Sequence, residues 1–303
     1  MKLPSSFELH EIAPTPINLS LEEQIPSSET NVSPFLKKLL LYLLKIQKYS
    51  AYTFTGFLGL HLTSVVIVPG LFAPLSIAQD VFEMSRAVYQ SVPNFENIAI
   101  IGSSMLHVIS GIGIRLIRAK LRQNKTHKNP AVMEPIITDT ERDDIGLGGI
   151  TALIGLGYKK SWIATKFPTL TPLSFSGYCL LPLVGYHFFK FRYLPVSIDG
   201  DSSLINLEYI SYYLTHSSLK NLGNRINYFM IVMLLWVMSY HSVSGLLKYN
   251  KKYSLTAKKC GYVIINSITV VGLLSLSRFR GLTVDSSGYF AKQFIKYLKA
   301  SPI

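Results

Sequence analysis

Read for apolar and polar positions, the chain alternates long apolar runs with short basic loops. A bilayer core is crossed by about 20 apolar residues in helix. Runs of that kind lie near Ala51–Leu71, Asn97–Leu116, Leu170–Phe189, Tyr228–Leu247 and Cys260–Leu276, and they predict five transmembrane helices. Ahead of them, residues 34–48 follow a helical period. Phe35, Leu36, Leu39, Leu40, Leu43 and Leu44 make one face, with Lys37, Lys38, Lys45 and Lys48 outside it. So short and basic a stretch is expected to lie flat in the membrane interface. Past the last run, Arg278–Ile303 sets Phe290, Phe294, Ile295 and Leu298 among lysines, which predicts an amphipathic helix on the opposite surface. The glycine-rich run Ile145–Tyr158 is too short to span alone and is expected to be re-entrant or interfacial.

The runs repeat. Leu106-His107-Val108-Ile109-Ser110-Gly111 returns as Tyr240-His241-Ser242-Val243-Ser244-Gly245. Each is preceded by a run with its own histidine, Gly59-Leu60-His61 and then Gly185-Tyr186-His187. The expected organisation is therefore an all-α integral membrane protein built from two related two-helix units plus one helix. The units divide as a disordered tail (1–33), an interfacial helix (34–48), a first membrane unit (49–119), a polar cytosolic loop (120–144), a second membrane unit (145–250), and a fifth span with an amphipathic tail (251–303).

Composition agrees. The 303 residues are 49% hydrophobic and only 16% charged, well under the roughly 25% of soluble domains. The formal charge of +13 sits in clusters at the ends of apolar runs. Arg115, Arg118, Lys120, Arg122, Lys125 and Lys128 follow the second run, and Lys248, Lys251, Lys252, Lys258 and Lys259 follow the fourth. With five spans these clusters share one side with the N-terminus, the cytosolic side by the positive-inside tendency. Nucleic acid is not an expected partner, because no basic motif stands on a soluble domain. Cys179 and Cys260 fall inside apolar runs and set no metal or disulfide spacing. No G-x-S-x-G, no H-E-x-x-H and no intramembrane carboxylate pair is present, which argues against an enzyme.

Two features carry candidate function. The first is His61, His107, His187 and His241, one per helix, since an ionisable residue inside a span is a functional candidate. Two imidazoles can be the axial ligands of a b-type haem, so these residues are its candidate ligands, and no other cofactor is expected. The plainer alternative is hydrogen bonding across helices to Ser110, Ser244, Thr63 or Tyr186. The second feature is in the tail. Leu9, Ile12, Ile17 and Leu19 flank Pro14 and Pro16. Proline fixes φ and holds its predecessor extended, so the segment is half-way to a strand and suits addition to a partner's sheet edge or groove.

These residues resemble a known family. Tyr52–Leu71 is similar to the first membrane helix of the fungal mitochondrial outer-membrane adaptor MCP family, and the H-x-x-S-G helices to its duplicated transmembrane domain. Leu9, Ile12, Pro14, Pro16, Ile17 and Leu19 are similar to its proline-x-proline motif, Φ-x-x-Φ-x-P-x-P-Φ-x-Φ. The resemblance covers most of the chain and implies a role. The motif would bind the adaptor-binding domain of a vacuolar-sorting bridge-like lipid-transfer protein. That would recruit it to the mitochondrial outer membrane from a cytosolic N-terminus, supporting mitochondrion–vacuole contact sites and lipid homeostasis. An alternative that it also implies is phospholipid scrambling, with Ser64, Ser103, Ser104, Ser110, Ser244 and the histidines along a polar furrow. The family is also distantly similar to haem-bearing membrane anchors of fumarate reductase and succinate dehydrogenase.

Overall fold

The computed structural model of the chain describes residues 34–128, 147, 170–282 and 287–300. Every regular element among them is helical. α1 runs Pro34–Leu62 and continues through a π turn, Thr63–Ile67, to Val68–Gly70. α2 is Leu75–Gln90. α3 opens with a π turn, Glu96–Gly102, and runs on as Ser103–Lys128. α4 is Pro172–Phe188, extended by a π turn, Phe189–Tyr193, and a last turn, Leu194–Asp199. α5 is Leu207–Thr215, α6 Lys220–Tyr249, α7 Leu255–Arg280 and α8 Tyr289–Ala300.

Four helical rods, α1, α3, α6 and α7, are long and apolar enough to cross a membrane. With α4 as a less apolar fifth, the architecture is the expected one. Lipid-facing surface is written on α3, where Ile98, Ile101, Met105, Ile109, Ile112 and Leu116 recur every three or four residues and are all exposed. A stripe of that size marks an apolar environment outside the protein. Within each repeat the helices pair closely, α1 with α3 and α4 with α6. α7 lies against α6 and against the last turns of α1. The spans thus form an open ring in the order α3–α1–α7–α6–α4.

Residues 34–48 do not form a separate helix. They run unbroken into the first span. The reason is a partner for their apolar face: Leu40 is buried with Ile114 and Ile117, and Leu39, Leu43, Leu44 and Leu121 pack around them. The expected tail motif, the loop beyond Lys128 and all of Ile145–Tyr158 except Leu147 lie outside the described residues. Leu147 itself is buried, and its N–H donates to Ser244 Oγ at 3.2 Å.

Close helix approach depends on two glycines. A Cβ at Gly70 would sit 2.4 Å from the carbonyl oxygen of Val271, and one at Gly272 2.1 Å from Leu235 Cδ2. Without a hydrophobic drive between helices in lipid, such close approach is how spans hold together. The Gly70 clash is with backbone, which cannot swing aside. Gly70→Ala is therefore expected to cost about 1–3 kcal/mol, as overpacking does. It should lower the unfolding midpoint in detergent, while Gly56→Ala, where a Cβ would meet nothing within 4 Å, leaves it in place.

The end of the ring away from the N-terminus carries a cap of α2, α5 and α8, and this cap holds the main core. Leu207, Tyr209, Tyr212, Tyr213 and Leu214 of α5 pack with Ala291, Phe294, Tyr297 and Leu298 of α8, and Ala78 of α2 closes the cluster. α8 was expected as an amphipathic helix on a surface; its apolar face is instead built into this core, with Lys292, Lys296 and Lys299 outside. Polar ties fix the cap. Arg86 donates to the carbonyls of Ser203 (3.1 Å) and Ile205 (2.8 Å), and Asn227 Nδ2 donates to the carbonyl of Tyr213 at 2.8 Å. Lys296 pairs with Asp199 at 2.8 Å, and Tyr297 donates to the same carboxylate. These two donors hold the Asp199 carboxyl below its usual 3.8.

Candidate functional site

The four sequence-predicted histidines meet as two pairs, each pair taking one member from each repeat. His61 of α1 faces His187 of α4 with ring centroids 6.0 Å apart, and His107 of α3 faces His241 of α6 at 6.1 Å. The first histidine of one repeat thus finds the first of the other, and the second finds the second. The repeats are related across the middle of the ring.

The pairs lie at different depths. Gln47 marks the level of His107 on α1, and His61 follows about 14 residues later, roughly 21 Å at helical rise. On α4, Ser176 marks the level of His241, and His187 follows about 11 residues later, roughly 16 Å. Both measures place His107–His241 toward the N-terminal end of the ring and His61–His187 toward the cap.

Each ring of the first pair is held by its own repeat. His107 Nδ1–H donates to the carbonyl of Gln47 at 3.1 Å. His241 Nδ1 lies 3.0 Å from Ser176 Oγ, whose hydroxyl donates to the carbonyl of Leu173 at 2.7 Å. With its proton committed there, Ser176 Oγ accepts from His241 Nδ1–H. Both rings are then Nδ1-protonated, and Nε2 keeps its lone pair. Gly177 makes the approach possible, since a Cβ there would lie 3.0 Å from His241 Cε1. In the second pair Phe57 stacks on His61 at 5.6 Å and Phe191 on His187 at 4.7 Å. His187 Nδ1 is buried with no hydrogen-bond partner among the described residues.

The expected hydrogen-bond partners are not the ones used. Ser110 donates to the carbonyl of Leu106, and Thr63 to that of Gly59. Ser244 accepts from Leu147, and Tyr186 pairs with Tyr213 and Asn227. Serine and threonine in a span satisfy themselves on the preceding turn, which leaves them unavailable across helices. The same self-bonding bears on a lipid furrow. Ser64, Ser103, Ser110 and Ser244 are all buried, and Ser64, Ser103, Ser104 and Ser110 all donate to their own helix backbone. The residues that do hold the histidines, Gln47 through its carbonyl and Ser176, carry no mark in the sequence.

Around the pairs the two repeats barely touch. Among the described residues, little backbone packing joins α1 and α3 to α4 and α6. Long side chains bridge the rims instead. Near the N-terminal end Tyr249 stands edge-on to Tyr52 at 6.0 Å, and Arg115 lies over the Tyr178 ring at 5.2 Å. At the cap end Arg192 pairs with Glu96. Beside the latter pair opens a cavity of about 400 Å³ lined by Tyr89, Asn97, Phe188 and Val196. Between the rims the paired histidines meet across the two repeats. The tail residues Leu9, Ile12, Pro14, Pro16, Ile17 and Leu19 lie outside the described residues.

Comparison with known proteins accounts for the two-fold pattern. The family described as MDM10-complementing protein 1, transmembrane domain, matches twice, over residues 56–163 and 182–289. Mitochondrial adapter protein MCP1 of Saccharomyces cerevisiae is 27% identical over 317 aligned positions, covering 97% of this chain and 97% of that protein. No solved structure matches. Each match holds one histidine couple, His61 with His107 and His187 with His241, and the chain belongs to the MDM10-complementing protein 1 transmembrane-domain family.

Proposed function

We propose that the protein is a multi-pass adaptor of the mitochondrial outer membrane whose N-terminal tail captures a bridge-like lipid-transfer protein of the vacuolar-sorting type. The observation that carries this is the tail pattern: Leu9, Ile12, Pro14, Pro16, Ile17 and Leu19 stand ahead of a membrane anchor. A relative named as a mitochondrial adapter, matched along nearly its whole length, supports the compartment and the adaptor role.

The division of labour follows from physics. The anchor supplies position, and the tail supplies recognition. Residues 20–33 separate the motif from Pro34 and reach at most roughly 50 Å when extended. The motif can therefore meet a partner docked clear of the headgroups. Two prolines lower the entropy lost when the segment is fixed in a groove, and the flanking apolar residues fill alternate pockets. The basic ends of α1, α3 and α6 support a cytosolic tail by the positive-inside tendency. In this reading the protein turns over no substrate. Its partners are the transfer protein and the phospholipid of its own membrane, and its output is a contact site through which lipid moves.

The test is transplantation. Residues 1–33 fused to an unrelated outer-membrane anchor are expected to bring the tagged adaptor-binding domain of the transfer protein to mitochondria. A cytosolic distribution of that domain, with the fusion correctly inserted, would sink the reading.

A further inference from the structure

We propose that the paired histidines between the repeats form a b-type haem site. His107 and His241 are the axial ligands of one haem, and His61 and His187 of a second, nearer the cap. The inference rests on the histidine geometry and stands apart from the tail.

Ring spacing is the first argument. A metal–imidazole bond of about 2.0–2.1 Å, with the ring centre about 1.1 Å behind the nitrogen, sets two axial rings about 6.3 Å apart. The two pairs stand at 6.1 and 6.0 Å. The rings can turn about their shared axis, so interplanar angles of 89° and 69° suit the same ligation.

Protonation is the second. Gln47 and Ser176 commit the Nδ1 protons of His107 and His241, so neither ring can donate to the other through Nε2. Two rings 6.1 Å apart, each keeping an Nε2 lone pair, call for an electron-pair acceptor. A carbonyl or hydroxyl on the far nitrogen is also how metal-bound imidazoles are oriented and made more basic. The buried, unpartnered Nδ1 of His187 shows the second pair to be unsatisfied as it stands.

Ligand number is the third. A bare zinc or copper ion takes three or four protein ligands. Among the described residues no three of His, Cys, Asp and Glu gather anywhere. Haem needs only two from the protein, because the macrocycle fills the other four positions. Room is the fourth. Little backbone packing joins α1 and α3 to α4 and α6, and a Cβ at Gly245, one turn from His241, would meet nothing within 4 Å. A flat apolar group between the hairpins would bury surface that long side chains now bridge only at the rims. When bound, haem supplies a one-electron couple; the chain supplies ligands, ring orientation and exclusion of water.

The full-length protein, produced with ample haem and purified in detergent, is expected to show a Soret band and a sharp α-band on reduction, with two haems per chain. His241→Ala and His61→Ala should each remove about half the haem, and the double variant all of it. His241→Met keeps the site filled and raises its potential, as methionine ligation does. His216→Ala, at an exposed cap histidine, changes nothing. Absence of a Soret band from the haem-replete protein overturns the proposal. So does a band that persists in the double variant, which would mean an adventitious haem only. A variant that loses haem yet elutes as the native protein does counts as loss of ligation, not of fold.

Discussion

Phe294→Ala is expected to release the C-terminal helix from the cap. Phe294 is fully buried, with ring centroids 5.2 Å from Tyr209, 5.6 Å from Tyr212 and 6.1 Å from Phe290. Truncating a buried phenylalanine costs about 3–5 kcal/mol, the transfer term plus the cavity. The cap has little to set against that. α8 is 12 residues long, too short to stay helical in water without its packing. The exposed lysines on its outer face place it in water, where the hydrophobic effect drives it onto α5; the spans gain nothing comparable in lipid. The expected result is rapid tryptic cleavage at Lys292, Lys296 and Lys299 in the variant, at a protease level that leaves the native cap intact. Phe290→Ala, at a half-exposed ring, should change the digestion little. Equal resistance of Phe294→Ala and the native protein would show that α8 is not held by this core.

The His107–His241 pair should outlast that loss. His107–His241 lies down the ring from the cap and is held by α1 and α4 through Gln47 and Ser176, whereas His187 stacks on Phe191, which packs on Tyr209 and Tyr213 of the cap. The cap and the His107–His241 pair are thus separable, which lets a digestion experiment and a spectrum report on different parts of the molecule.

The spans were legible in the sequence because lipid imposes a long, coarse pattern. Some 20 apolar residues in a row cannot be hidden, and the duplicated histidine helices gave the repeat away. The cap was not legible. α2 and α5 are short and only partly apolar, and nothing local says that Ala78, Tyr209 and Phe294 converge. Such convergence is a long-range outcome of where three chain reversals place their ends. The unbroken course of α1 was missed for a similar reason. A basic amphipathic segment looks the same whether its apolar face meets lipid or, as here, Ile114 and Ile117 of a neighbouring helix. For the candidate site, the four histidines could be named from the sequence, but their pairing across the repeats could not. Nor could Ser176 be told from the other serines. Its role depends on lying one helix away from His241 with its own proton already spent on Leu173.

The other large effect concerns the tail. Pro14 and Pro16 each fix φ and bias the residue before them, Ala13 and Thr15, to extended backbone. Replacing both with alanine returns that freedom to the unbound segment and lets it sample helix, so more entropy is lost on docking. Leu9, Ile12, Ile17 and Leu19 remain. The anchor is untouched, because the described membrane helices begin at Pro34. The variant should therefore insert and accumulate as the native protein does.

The most direct measurement is the fraction of tagged bridge-like lipid-transfer protein found on mitochondria in cells whose only copy of this adaptor carries Pro14→Ala and Pro16→Ala. The account predicts that this fraction falls to the level seen with no adaptor, at unchanged adaptor abundance. Recruitment undiminished from the native level would contradict it.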